Sequence, residues 1–270
     1  MSILQALALG AVQGLTEFIP ISSSGHLVVV PAALGWDKPS LAFDVMLHVA
    51  SLVALLAYFA GDLLDLTRGA RAGDRDSRRL ALLLALGTVP AALAGLVLGG
   101  FFEESFEDAP ASAVQLVVTA VILVGAELAL RYHERRVSRS GARLRRINEL
   151  NAGDAGIIGV AQAVSILPGI SRSGATIAAG LGLAIARDDA ARFGFLLAIP
   201  ALAGAAVVQL PQLGAGGPPV GLGAGLVGFV ASLITSYAAI WGLIRYLRTR
   251  TLYPFALYCV LAGIFFYAVV

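Results

Sequence analysis

The sequence predicts an all-α polytopic membrane protein, with six transmembrane helices and two re-entrant helical hairpins arranged as an inverted repeat. Three observations lead there. Of 270 residues, 58% are hydrophobic and 13% charged, with mean hydropathy +0.85, where a soluble chain carries about 25% charge. The arginines are gathered in a few stretches between apolar runs. Two polar breaks of similar sequence interrupt apolar segments near the start and the middle of the chain.

The first break is Gln13 to His26, QGLTEFIPISSSGH. Gln13 and Glu17, four apart, share a helix face; Pro20 ends that helix. Ser22-Ser23-Ser24-Gly25 reads as a polar turn capping a second helix, with His26 in its first turn. The piece from Leu27 to Gly35 would be only about 15 Å long as a helix, half the hydrocarbon core. Full-length spans are expected at Leu41–Ala60, Leu80–Phe101, Ala111–Leu130, Ala190–Leu210, Val220–Ile244 and Leu252–Val270. Asp62 to Arg79 is expected as a polar loop, and Glu103, Glu104, Glu107 and Asp108 as a short acidic one. Residues 155–186 are apolar but broken at Pro168-Gly169-Ile170-Ser171-Arg172-Ser173-Gly174.

Charge sets the topology. Loops 62–79, 131–154 and 245–250 hold 15 of the 19 basic residues, so they are expected in the cytoplasm. Counting back from Arg245 puts loop 211–219 outside and Arg187 to Asp189 inside. Segment 155–186 then starts and ends on one side, as a re-entrant hairpin must. A shift of 149 lays Gln13 on Gln162, Ser22 on Ser171, Ser24 on Ser173 and Gly25 on Gly174. Each copy continues into three spans, so the second is inverted relative to the first and both termini face outward. The expectation is one membrane domain, 1–270, with repeats at about 1–130 and 155–270 joined by the basic cytoplasmic loop 131–154.

The first twenty residues lack a basic start and contain Glu17, so no cleavable signal is expected. A single cysteine, Cys259, excludes an internal disulfide and a cysteine metal cluster. Nothing points to nucleic acid, since the basic residues are loop clusters.

Buried polar groups at both breaks point to an anion site. Helix starts offer unpaired N–H groups, and an arginine in a membrane segment usually faces a cavity with a partner. Arg172 reads either as a guanidinium gripping phosphate oxygens or as an ion-pair partner of Glu17. Glu17 reads as that partner, a metal ligand or a general base, and Gln13 as a neutral metal ligand or a headgroup contact. Ser23 and His26 suggest a nucleophile and its base, in either order. Ser22, Ser24, Gly25, Ser171, Ser173 and Gly174 would cradle phosphate. His48, Glu127, His133 and Cys259 read as a packed or hydrogen-bonded residue, a snorkelling side chain, a solvated loop residue and lipid-facing or core filler.

The two stretches resemble the motifs of the bacterial undecaprenyl-diphosphate phosphatase family of the bacitracin-resistance type: the E/Q-x-x-x-E stretch with its serine run and histidine, and PGxSRSxxT at Pro168 to Thr176. The first motif position here is Gln13 rather than glutamate. The resemblance implies hydrolysis of undecaprenyl diphosphate to the monophosphate carrier lipid of cell-wall synthesis. It also implies a divalent cation (Mg2+ or Ca2+) near Glu17 and Gln13, and a site in the bacterial cytoplasmic membrane open to the outer face. Gln13, Glu17, Ser23, His26, Arg172 and Thr176 are its implied site residues. Expected partners are a polyprenyl diphosphate lipid and the bilayer, and a homo-oligomer is compatible. The rival reading is an inverted-repeat transporter or flippase of an anionic lipid. The phosphatidic-acid phosphatase superfamily is disfavoured, because Ser171-Arg172 is not followed by the required histidine.

Overall fold

A computed structural model describes residues 1–105, 108–209 and 220–270, with side chains throughout except at 98–105. The expected 211–219 loop and Glu107 lie outside what is described; of the expected acidic loop, Glu103 and Glu104 instead belong to the end of α5, and Asp108 caps α6. The described residues are all-helical in their regular structure: α1 Ile3–Phe18, α2 Ser23–Ala33, α3 Leu41–Tyr58, α4 Ala60–Ala72, α5 Arg75–Ser105, α6 Ala109–Ser140, α7 Ala152–Val164, α8 Arg172–Gly182, α9 Arg187–Gln209, α10 Leu222–Leu247 and α11 Tyr253–Val269. A 3₁₀ turn at Ile147–Glu149 precedes α7.

Among the described residues five helices, α3, α5, α6, α9 and α10, are long and apolar enough to cross a membrane. The sixth expected span, α11, has 17 residues, about 26 Å at the α-helical rise. Helices α1, α2, α7 and α8 have 16, 11, 13 and 11 residues. None reaches the ~30 Å of a hydrocarbon core. Large apolar side chains face outward on nearly every element, Leu82, Leu96, Val121, Leu222 and Leu257 among them. So much exposed apolar surface suits lipid, not water.

Two expectations about polar segments need correction. The supposed loop 62–79 is mostly helix: α4 carries Asp62 in its first turn and Arg71 in its last, an order that complements the helix dipole. It stops at Gly73, whose φ of 88° terminates a helix without steric cost. The basic stretch after Leu130 likewise begins as two and a half further turns of α6, ending at Gly141 with φ 71°. That extension places Glu127 well inside α6, fully buried. Rather than snorkelling, its carboxylate accepts from Arg187 Nε and Nη2 at 3.0 and 2.7 Å. It also caps the Leu252 N–H at 2.8 Å, while Arg187 Nη1 reaches Glu134 at 2.8 Å. This buried network ties α6, α9 and the start of α11 together. His133 is not merely solvated, since Nε2 lies 3.0 Å from the Gly182 carbonyl. Cys259 is buried core, not lipid-facing.

The halves exchange partners. Helix α1 lies along α10, and α7 lies along α5. Both pairs approach through glycine. A Cβ on Gly10 would stand 2.3 Å from the Gly228 carbonyl oxygen, and one on Gly159 2.3 Å from that of Gly87. Gly10 and Gly159 are 149 apart, the spacing that aligns the two breaks. Larger residues would wedge the backbones apart. The main core gathers Phe18, Phe59, Leu123, Ile177 and Phe195 beneath the two hairpin tips.

Candidate active site

The tips of the α1–α2 and α7–α8 hairpins meet. Helix α1 ends at Phe18, the chain turns through Pro20, and α2 begins at Ser23. The Ser22 hydroxyl caps α2 by accepting from the Gly25 N–H at 3.3 Å. At the other tip Ser171 accepts from the Gly174 N–H at 3.0 Å. The paired hydroxyls repeat too, Ser22 with Ser24 at 3.3 Å and Ser171 with Ser173 at 3.1 Å. Thr119 of α6 braces the second tip, donating to the Gly169 carbonyl at 2.8 Å and accepting from the Ser171 N–H at 3.1 Å. Gly169 is required there: its φ is 93°, and a Cβ would fall 2.5 Å from the Ser112 carbonyl oxygen. Across the seam Ser173 Oγ donates to the Ile19 carbonyl at 3.3 Å. Gly25 packs against Gly169, where a Cβ would find the Gly169 Cα at 3.0 Å.

Glu17 is the hub. It is 6% exposed and accepts from Arg172 Nη2 at 2.5 Å on Oε1. On Oε2 it accepts from Gln13 Nε2 at 3.0 Å and from the Ser23 hydroxyl. Ser23 and Arg172 are themselves 149 apart, each opening its helix. Equivalent positions in the two halves thus supply a hydroxyl and a guanidinium to one carboxylate. Removing the guanidinium would strand the buried carboxylate, which costs far more than the pair is worth.

His26 does not reach Ser23. Its Nδ1 lies 2.6 Å from the Ser22 carbonyl and its Nε2 2.7 Å from the Tyr258 hydroxyl, so both ring nitrogens are engaged. Thr176 is buried, and its hydroxyl donates back to the Arg172 carbonyl at 2.9 Å instead of facing the tips. Two residues come to the site that the sequence reading did not place there: His48, expected as packing, and Tyr258, not singled out. His48 of α3 sets Nε2 3.8 Å from Glu17 Oε2, with Nδ1 2.8 Å from the Asp44 carbonyl. Tyr258 of α11 stacks on His26, ring centroids 5.6 Å apart and planes 15° from parallel.

For a cation, the informative atom is Gln13 Oε1, which is buried with no hydrogen-bond partner among the described residues. The Gln13 amide turns Nε2 to Glu17, so with the amide reversed Oε1 and the carboxylate would offer the oxygen donors that a hard divalent ion prefers. No group of three His, Cys, Asp or Glu side chains suited to a metal occurs among the described residues. An ion here would therefore need phosphate oxygens and water as further ligands.

The chain matches the family model described as bacitracin resistance protein BacA over residues 6–265. It is 40% identical over 269 residues to a protein of Geobacter sulfurreducens named undecaprenyl-diphosphatase, covering 97% of this chain and 96% of that one. It is similar in the same measure to the undecaprenyl-diphosphatase of Thermomicrobium roseum, 40% over 272 residues with 98% and 96% covered. With that of Gloeobacter violaceus it shares 40% over 265 residues, 96% and 88% covered. With both motifs gathered on one buried carboxylate and the match running nearly end to end, this chain belongs to the bacitracin resistance protein BacA family.

Proposed function

We propose that the chain hydrolyses undecaprenyl diphosphate to undecaprenyl phosphate and inorganic phosphate, recycling the carrier lipid for cell-wall synthesis and so conferring bacitracin resistance. The observation that carries the mechanism is the Ser23 hydroxyl donating to Glu17, which is held by Arg172 from the other hairpin. A serine hydroxyl needs a base to attack phosphorus, and Glu17 is the base in contact with it. Ser23 Oγ attacks the terminal phosphorus as its proton passes to Glu17, and the P–O bond to the bridging oxygen breaks. Undecaprenyl phosphate leaves as the anion. Water then attacks the phosphorus of the phosphoserine, the P–Oγ bond breaks, Ser23 recovers its proton from Glu17, and dihydrogen phosphate leaves carrying the water's oxygen and both its protons. Arg172 is 19% exposed in its side chain, enough to meet the diphosphate. An incoming phosphate competes with Glu17 for the guanidinium, freeing the carboxylate to take the proton as negative charge gathers at the terminal phosphoryl group.

Glu17 and Gln13 would hold a Mg2+ or Ca2+ ion together with the substrate. Bound there, the ion would offset charge on the phosphoryl oxygens. Ser22, Ser24, Gly25, Ser171, Ser173 and Gly174 shape the tips around the phosphate. The six-span, two-hairpin inverted layout in the bacterial cytoplasmic membrane, with the site open to the outer face, is supported by the arginine distribution and the exchange of partners between halves. The same exchange would serve a transporter or flippase, which releases no phosphate. The test is phosphate release from undecaprenyl diphosphate by purified protein in detergent, with and without a chelator. Release that stops reversibly with chelation is expected; no release would end the phosphatase reading, and full activity in excess chelator would end the cation's part in it.

A further inference from the structure

Tyr258 belongs to α11, the last helix, yet its hydroxyl lies on His26 Nε2 at 2.7 Å. Phe266 holds the same imidazole from the edge, centroids 6.2 Å apart. The other ring nitrogen, Nδ1, is 2.6 Å from the Ser22 carbonyl oxygen. A carbonyl only accepts, so Nδ1 carries the proton in that bond. In the neutral ring Nε2 is then an acceptor, filled by the Tyr258 O–H. A chain of hydrogen bonds runs from Tyr258 through His26 to the backbone of Ser22.

Ser22 is where that chain matters. Its φ is 70°, a region that residues with a Cβ seldom adopt, and it immediately precedes Ser23. The other hairpin provides an internal control. Its equivalent residue, Ser171, has an ordinary φ of −71°. The position matching His26 there is Ala175. The Ser171 carbonyl accepts the Ala175 backbone N–H at 2.8 Å, whereas the Ser22 carbonyl keeps the His26 backbone N–H only at 3.3 Å and turns to the ring instead. The unusual backbone occurs in the half that has the imidazole, and in that half the following side chain is a serine pointed at Glu17.

We propose that Tyr258 is a positioning residue for this reaction: through His26 it holds Ser22 in its left-handed conformation, which turns the Ser23 hydroxyl onto Glu17. The proposal rests on the phosphatase reading for its kinetic consequence alone. Tyr258→Phe removes one oxygen and keeps the stacked ring. In full-length protein in detergent, kcat should fall roughly three- to tenfold, the equivalent of one neutral hydrogen bond, with KM unchanged. Labelling of Ser23 by a fluorophosphonate should slow in parallel. The 15N resonance of His26 Nε2, identified by its loss in His26→Asn, should move towards that of a nitrogen without a donor. Glycine adopts the Ser22 conformation freely, so in a Ser22→Gly background Tyr258→Phe should have no further effect on kcat or labelling. An equal loss in both backgrounds, or normal kcat and labelling in a folded Tyr258→Phe protein, would overturn the proposal. Should the phenylalanine variant fail to fold, Tyr258→Gln, which keeps a donor, against Tyr258→Leu makes the same comparison. Wild-type protein that releases no phosphate would remove the phosphatase reading instead, and leave the labelling and resonance measurements to judge Tyr258.

Discussion

Replacing Arg172 by lysine separates charge from geometry at the centre of the site. The guanidinium gives one N–H to Glu17 at 2.5 Å; its remaining donors have no protein acceptor among the described residues. Those donors are what a planar fork offers to a phosphate and an ammonium does not. Lysine preserves a cation beside the buried carboxylate, so the fold should lose little. What goes is one charge-assisted contact to the phosphoryl group, about 1.5–3 kcal/mol, or roughly 10- to 150-fold in kcat/KM. Arg172→Met would instead leave Glu17 buried and unpaired, a loss of about 3–5 kcal/mol of stability. The assay is phosphate release at several substrate concentrations, with melting in detergent measured on the same preparations. A lysine variant with near-normal kcat/KM would show that a point charge suffices. A lysine variant that melted as early as the methionine one would show that the fork holds the fold together.

Four further predictions concern the scaffold and its orientation. Glu127→Ala leaves Arg187 with Glu134 as its remaining partner and uncaps Leu252, so melting in detergent should reveal a loss of about 1–3 kcal/mol. Gly169→Ala must place a Cβ 2.5 Å from the Ser112 carbonyl oxygen at φ 93° and should cost about 2–4 kcal/mol. Gly95→Ala, in open space, should be neutral or slightly stabilising. Single cysteines at Ala72 and Gly141, in a Cys259→Ala background, should resist impermeant thiol reagents in intact cells; labelling of both from outside would overturn the assigned orientation.

Much of the site was legible because it is local. Pro20 and the Ser22–Gly25 turn, and Pro168 through Gly174, announce their breaks within a few residues, and a carboxylate or guanidinium in apolar sequence must find a partner. The pairing of Glu17 with Arg172 was one of two readings open for Arg172 and one of three for Glu17. What was not legible depends on distant chain. Tyr258 meets His26 from 232 positions away, and a tyrosine on an apolar helix carries no signal of its own. His48 looked like one more buried polar residue until α3 was set against α1. Glu127 was misjudged because α6 runs ten residues beyond the apolar stretch, and amphipathic arginine-rich sequence does not say where a helix stops. The same ambiguity hid α4 inside a supposed loop.

The exchange of partners between the halves also orders events in time. The glycine face of α1 fits only α10, which leaves the ribosome roughly 200 residues later; at about 5–20 residues per second that is a wait of some 10–40 s. Until Arg172 is made, about 155 residues after Glu17, the carboxylate has no guanidinium, and until α10 follows, the glycine face of α1 has no partner. The Glu17 carboxylate therefore acquires its full environment late, so a chain truncated before α10 would carry every residue of both motifs while α1 still lacked the helix it packs on.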